Sequence, residues 1–176
     1  MPVPDFSPGE VLTAAAMDSI GLWLVKTQTI GTGVSSVTVT DAFSNTYDNY
    51  LIQVAGGASS ATAVLNLRLG SDVTSYRYQF IYGNWAGSAI AEGTTSATSF
   101  QYMGSSNADG IFMNCAVLSP NLAKGTRVVS DSTATGSYSG TCTGYLPTVT
   151  QYTSFIILPS TGTLTAGTIR VYGYRK

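Results

Sequence analysis

The alternation within YDNYLIQVAGGASSATAVLNLRLG, residues 47–70, narrows the choice of fold more than any other part of the chain. Tyr50, Ile52 and Val54 fall on one side of an extended backbone and Gln53 on the other. Leu65, Leu67 and Leu69 alternate in the same way with Asn66 and Arg68. A period of two belongs to strands, because successive side chains leave a pleated backbone on opposite faces. Gly56, Gly57, Ser59 and Ser60 lie between the arms, so the stretch predicts a β-hairpin with one buried face. A lone hairpin is marginal in water, and its leucines need a second sheet or a partner to cover them.

The same period recurs from Leu22 onward. Strands are predicted over Leu22–Thr29, Val34–Thr40, Tyr76–Tyr82, Ser99–Met103, Gly110–Leu118, Thr126–Val129, Ser137–Tyr145, Gln151–Leu158 and Thr168–Tyr174. Turn-forming residues separate them, among them Gly31-Thr32-Gly33, Gly70-Ser71-Asp72, Gly83-Asn84 and Pro120-Asn121. Ser105–Asp109 reads as a hairpin connection, and the small, polar residues 86–99 as a long loop or a weakly formed edge. About ten short strands at this spacing indicate an all-β fold, a jelly-roll-like antiparallel β-sandwich, with a lipocalin-like barrel as second choice. No repeat of roughly 20–50 residues points to a propeller or solenoid.

Residues 1–21 read differently. Pro2, Pro4 and Pro8 favour an extended arm. Thr13 as N-cap, Ala14-Ala15-Ala16 and Gly21 just past the end predict one short helix. A helix of about eight residues is marginal by itself, so it must dock on its own sheet or on another body. Phe6, Leu12, Met17, Ile20 and Leu22 supply the apolar side. The expected organisation is an arm and helix over 1–21 and a β-sandwich domain over 22–176.

Only 10% of the residues are charged, against about 25% in ordinary globular domains. Net charge is −1 and no run of Lys or Arg occurs, which argues against nucleic acid or an anionic membrane as the main partner. Low charge also offers little resistance to self-association. No apolar run approaches the roughly 20 residues of a membrane span, and MPVPDFSPGE has prolines and acids where a signal peptide has basic and apolar residues. Synthesis in a cytoplasm without membrane insertion is therefore expected. There Cys115, within the apolar IFMNCAVL, and Cys142 are expected to stay reduced rather than pair.

Chemistry is sparse. The chain has no His, which removes the commonest general base and metal ligand, so no metal, cofactor or catalytic set is expected. Its acids are scattered, mostly beside turn residues, with no sign of the carboxylate pair that glycoside hydrolysis uses. Gly31-Thr32-Gly33 is followed by neither Lys nor helix and is a turn, not a phosphate loop. Tyrosine is the excess, at 11 residues. Tyr76, Tyr78 and Tyr82 share one strand face, as do Tyr172 and Tyr174. Such faces serve as half-buried cross-strand packing, as a subunit interface or as a sugar-binding surface.

Three stretches carry a resemblance. Phe6-Ser7-Pro8-Gly9-Glu10-Val11-Leu12-Thr13-Ala14-Ala15-Ala16-Met17 resembles a leader of tailed-bacteriophage structural proteins, G-x-x-L-T-A-A-x-(M/L)-N, with Asp18 in place of the Asn. Phe43–Tyr50 with Leu67–Gly70 resembles early strands of phage fibre and head-decoration domains, and Gly167–Tyr174 is similar to their last strand. The resemblance implies a virion component of tail-fibre, head-fibre or capsid-decoration kind, made in the host bacterial cytoplasm. It further implies a homotrimer whose N-terminal segment, through Phe6, Leu12, Met17 and Ile20, docks on capsid, portal or tail proteins. The alternative is a carbohydrate-binding module that recognises host surface glycan through Tyr76, Tyr78 and Tyr82. Neither reading makes it an enzyme.

Overall fold

The computed structural model describes residues 21–134 and 138–174. Among them every helix or strand is a strand. In chain order they are β1 (Leu22–Thr29), β2 (Val37–Val39), β3 (Asn49–Gly56), β4 (Ala58–Ser59), β5 (Ala63–Leu69), β6 (Tyr76–Asn84) and β7 (Ala89–Ala97). The remainder are β8 (Phe100–Asn107), β9 (Gly110–Leu118), β10 (Thr126–Ala134), β11 (Tyr138–Leu146), β12 (Phe155–Pro159), β13 (Leu164–Thr165) and β14 (Thr168–Tyr174). The helix expected before Gly21, with Phe6, Leu12, Met17 and Ile20, lies outside the described residues.

Twelve strands form one curled antiparallel sheet, and β4 with β13 forms a small second one. The large sheet forks at β9. One edge of β9 carries β3 along its whole length, from Asn49↔Leu118 to Gly56↔Ile111, and beyond it β14 and β1. The other edge is shared. Its first half holds β8, ending at Gly104↔Met113, and its second half holds β10, starting at Asp131↔Asn114. The run β8-β5-β12-β2 leaves from one side of the fork and β10-β11-β6-β7 from the other.

The fork would strand backbone polar groups, and a serine deals with them. The next pair beyond Gly104↔Met113 would join Met103 and Asn114, but β8 has already turned away. Ser130, 1% exposed on β10, shares its hydroxyl between the Met103 carbonyl at 2.5 Å and the Asn114 carbonyl at 3.1 Å. Ser105 Oγ donates to the Thr133 carbonyl at 2.5 Å on the same seam. Tyr102, at the turning point, has φ of 60°, a left-handed conformation that costs a bulky residue energy and persists only where packing holds it.

Curling closes the large sheet around one core, an arrangement consistent with a β-sandwich. Leu65, Leu67 and Leu69 of β5 and Phe155 and Ile157 of β12 share that core with Tyr50, Ile52 and Val54 of β3 and Ile169 and Val171 of β14. Each such side chain, fully buried, contributes about 1.5–3 kcal/mol. Phe43 joins the layers, 4.9 Å from the Tyr50 ring and 5.5 Å from Phe155. Tyr50 Oη closes back on its own loop, accepting from Ser44 N–H and donating to Ser44 C=O, both at 2.8 Å.

The hairpin expected over residues 47–70 does not form. Both arms are strands with the anticipated buried faces, but β3 pairs with β9 and β14 whereas β5 pairs with β8 and β12. Gly56 and Gly57, at φ 77° and 72°, send the chain into β4, which pairs with β13, and so across to the opposing layer. A Cβ on Gly57 would sit 2.4 Å from the Ala166 carbonyl oxygen, so only glycine permits this crossing. The arms cover each other across the core instead of lying side by side. By contrast β8 and β9 do form the expected hairpin, tightened to Ala108-Asp109, with Asn107 Oδ1 accepting from the Asp109 and Gly110 amides at 2.9 and 3.1 Å. Residues 86–99 contain the edge strand β7.

Candidate functional site

Two surfaces lie on opposite faces of β6. Its inward face is the one the tyrosines mark. Tyr76 is fully buried against Phe100, ring centroids 4.8 Å apart, and its hydroxyl accepts from the Leu69 amide at 2.8 Å. It therefore presents no surface to a sugar or a subunit. Tyr78 and Tyr82 are half-buried. Tyr78 donates to Gln101 Oε1 at 2.8 Å. Phe80 is stacked between Tyr82 at 4.7 Å and Tyr102 at 4.6 Å, with Tyr138 edge-on at 5.4 Å.

Glu92 of β7 closes this cluster. Tyr102 donates to its Oε2 at 2.6 Å and Tyr82 to its Oε1 at 2.8 Å. These two phenols hold the Glu92 carboxyl below the usual carboxylate range, Tyr102 foremost. In return the carboxylate, followed by burial, raises the Tyr102 phenol, and raises Tyr82 likewise. Burial, then the Cys142 and Glu92 charges, raise Tyr78. The group is a clasp of neutral donors on one anion, tying β7 to β6 and β8.

The outward face of the same strands carries a groove of about 780 Å³ lined by Arg77, Gln79, Gly93, Thr94, Thr95, Arg127, Thr143, Gly144 and Tyr145. Its geometry follows from register. Tyr145 of β11 stands opposite Arg77 of β6 on one side and Arg127 of β10 on the other. Neighbouring strands lie about 4.8 Å apart, which places the two arginine Cα atoms roughly 10 Å apart. The Arg127 guanidinium lies over the Tyr145 ring, 5.1 Å from its centroid. No carboxylate lines the groove. A second groove of about 550 Å³ around Gln53, Asn114, Asp131, Thr133 and Arg170 holds both signs of charge.

Elsewhere the chemistry is structural. Cys115 and Cys142 are both buried and free, and burial pushes both thiols up to about 12. Tyr152 Oη donates to Asp72 Oδ2, Thr141 Oγ1 donates to Asp131 Oδ1 at 2.8 Å, and Asp109 sits in the β8–β9 turn. Among the described residues no three His, Cys, Asp or Glu side chains gather as metal ligands. Tyr172 is half-buried and Tyr174 is 37% exposed, on the outward face of β14. Sequence reading missed Arg77, Arg127 and Tyr145. Alternation places Arg77 opposite in face to Tyr76 and Tyr78, but nothing local aligns three strands so distant in sequence.

No family model matches the chain, and no curated protein matches it. Among solved structures, the infectious bursal disease virus VP2 subviral particle aligns with 86% of this chain and 42% of its own, at 9% identity and a TM-score of 0.14. The structure of infectious bursal disease virus strain Gt aligns with 98% of this chain and 45% of its own, at 11% identity and a TM-score of 0.13. The chain thus spans less than half the length of these structures. Similarity this slight says nothing of fold or function.

Proposed function

We propose that the chain is a structural component of a tailed-phage virion, of fibre, spike or capsid-decoration type. Residues 1–21 attach it to the particle, and residues 22–176 form a jelly-roll-like β-sandwich displayed outward as a homotrimer. The observation that carries this reading is the β1 edge. Among the described residues β1 pairs only with β14, and Leu22, Trp23 and Leu24, where it meets the N-terminal segment, are 42%, 38% and 56% exposed. Apolar edge strands invite pairing and are normally blunted or covered. Covering the exposed half of three such side chains is worth on the order of 2–4 kcal/mol. Low charge and the leader-like residues 6–17 support the same reading.

The test compares particles assembled with the full chain and with residues 22–176 alone, using antibody labelling viewed by electron microscopy. The full chain is expected on virions and the truncated one is not. Normal decoration by the truncated chain, or no label in either case, overturns the reading. Light scattering is expected to give a trimer mass, free or on the particle.

A further inference from the structure

We propose that the outward groove across β7, β6, β11 and β10 binds an acidic saccharide, with Arg77 and Arg127 gripping its carboxylate or phosphate. The cavity, at about 780 Å³, lies within the roughly 300–1,000 Å³ of small-ligand sites. In a chain with only 8 Lys and Arg in all, two arginines flank one tyrosine by register. No acid lines the groove to offset them. Like charges placed together without a counter-ion are mutually repulsive, and an anion between them reverses the sign of that interaction.

The geometry selects the anion further. Guanidinium is a planar fork that matches carboxylate and phosphate oxygens in pairs. Arg127 is already positioned by the Tyr145 ring, so binding sacrifices less of its rotamer freedom. Around the two cations lie hydroxyl and amide groups, Thr94, Thr95, Thr143 and Gln79, which match the hydroxyls of a sugar better than the body of an apolar acid. The groove is shallow and open across the sheet face, suited to one unit of a polymer passing over it. Two cations without a longer basic track are too few for a nucleic-acid backbone.

This goes beyond the assembly reading, and the two fail separately, because β1 ends the branch that leaves β9 through β3 and β14, whereas the groove lies on the run β10-β11-β6-β7. The experiment titrates the full chain by calorimetry with a glucuronate-containing oligosaccharide, glucose 6-phosphate, a neutral glucose oligomer, inorganic phosphate and a single-stranded oligonucleotide. One acidic saccharide is expected to bind, and which of the two does so identifies the anion. Arg77→Gln and Arg127→Gln, both at exposed positions and checked for unchanged melting, are each expected to weaken it about tenfold or more, the loss of a charged hydrogen bond. Binding should also fall with salt. The inference is overturned if neither acidic saccharide binds, if the neutral oligomer, inorganic phosphate or oligonucleotide binds as tightly, or if both folded variants bind like the parent.

Discussion

Replacing Ser130 by alanine removes one oxygen from the point where the large sheet divides. The Met103 and Asn114 carbonyls share that hydroxyl, at 2.5 and 3.1 Å, in a place where Ser130 is 1% exposed. Water cannot easily replace it there. A buried polar group left without a partner costs about 1–3 kcal/mol, and one shared proton does not satisfy two carbonyls fully, so a loss of about 2 kcal/mol is expected. In a chain of this size each kcal/mol lowers Tm by about 2–4 °C, giving a fall of about 4–8 °C. Urea unfolding should show a lower midpoint with an unchanged slope, since the surface exposed on unfolding is the same. Ser139→Ala, at an exposed position on β11, is the control and should stay within about 0.5 kcal/mol. A loss below about 0.5 kcal/mol for Ser130→Ala would show that the fork does not depend on this hydroxyl.

Three further predictions concern the buried and clasped groups. With both thiols pushed up to about 12 by burial, native alkylation at pH 8 should be slower than in the unfolded chain by on the order of a thousandfold; rates within tenfold of each other would contradict the burial. The unfolded chain releases these protons first, so their contribution to stability is whole below the unfolded thiol value of about 8.5 and falls as pH rises toward 12. The slope is about 1.4 kcal/mol per pH unit for Cys115 alone, and Cys115→Ala should flatten it. Tyr102→Phe removes the principal donor to Glu92, so carboxyl NMR should show Glu92 titrating closer to an ordinary glutamate than in the parent; an unchanged titration would exclude the clasp.

Alternation alone picked out the apolar side chains of β3 and β5 that enter the core, although Asn66 on the other face of β5 is buried too. Tyr50, Ile52 and Val54, and Leu65, Leu67 and Leu69, are all buried, because the pleat fixes the face of every second residue whatever the strand lies beside. Pairing was not legible in that way. The backbone ladder carries no side-chain information, so β3 has no local reason to reject β5 and take β9 and β14; that choice rests on closing two apolar layers over each other through the crossing at Gly56 and Gly57. The short turn at Asn107–Gly110 was readable because its hydrogen bonds are made within four residues.

The surfaces divide along the same line. The shared face of Tyr76, Tyr78 and Tyr82 could be read from their spacing, but which layer that face meets could not, and the layer beneath buried Tyr76. Arg77, Tyr145 and Arg127 come into one row only when three strands are set in register. By itself, then, the sequence determined most of the longer strands, the inward faces of β3 and β5 and the lack of any histidine, but it read β7 as a loop or weak edge and did not show β4 and β13. The tertiary structure decided the partners of each strand, the fork held by Ser130 and the pairing of two cations across one tyrosine, because contacts between distant segments depend on how the whole sheet closes.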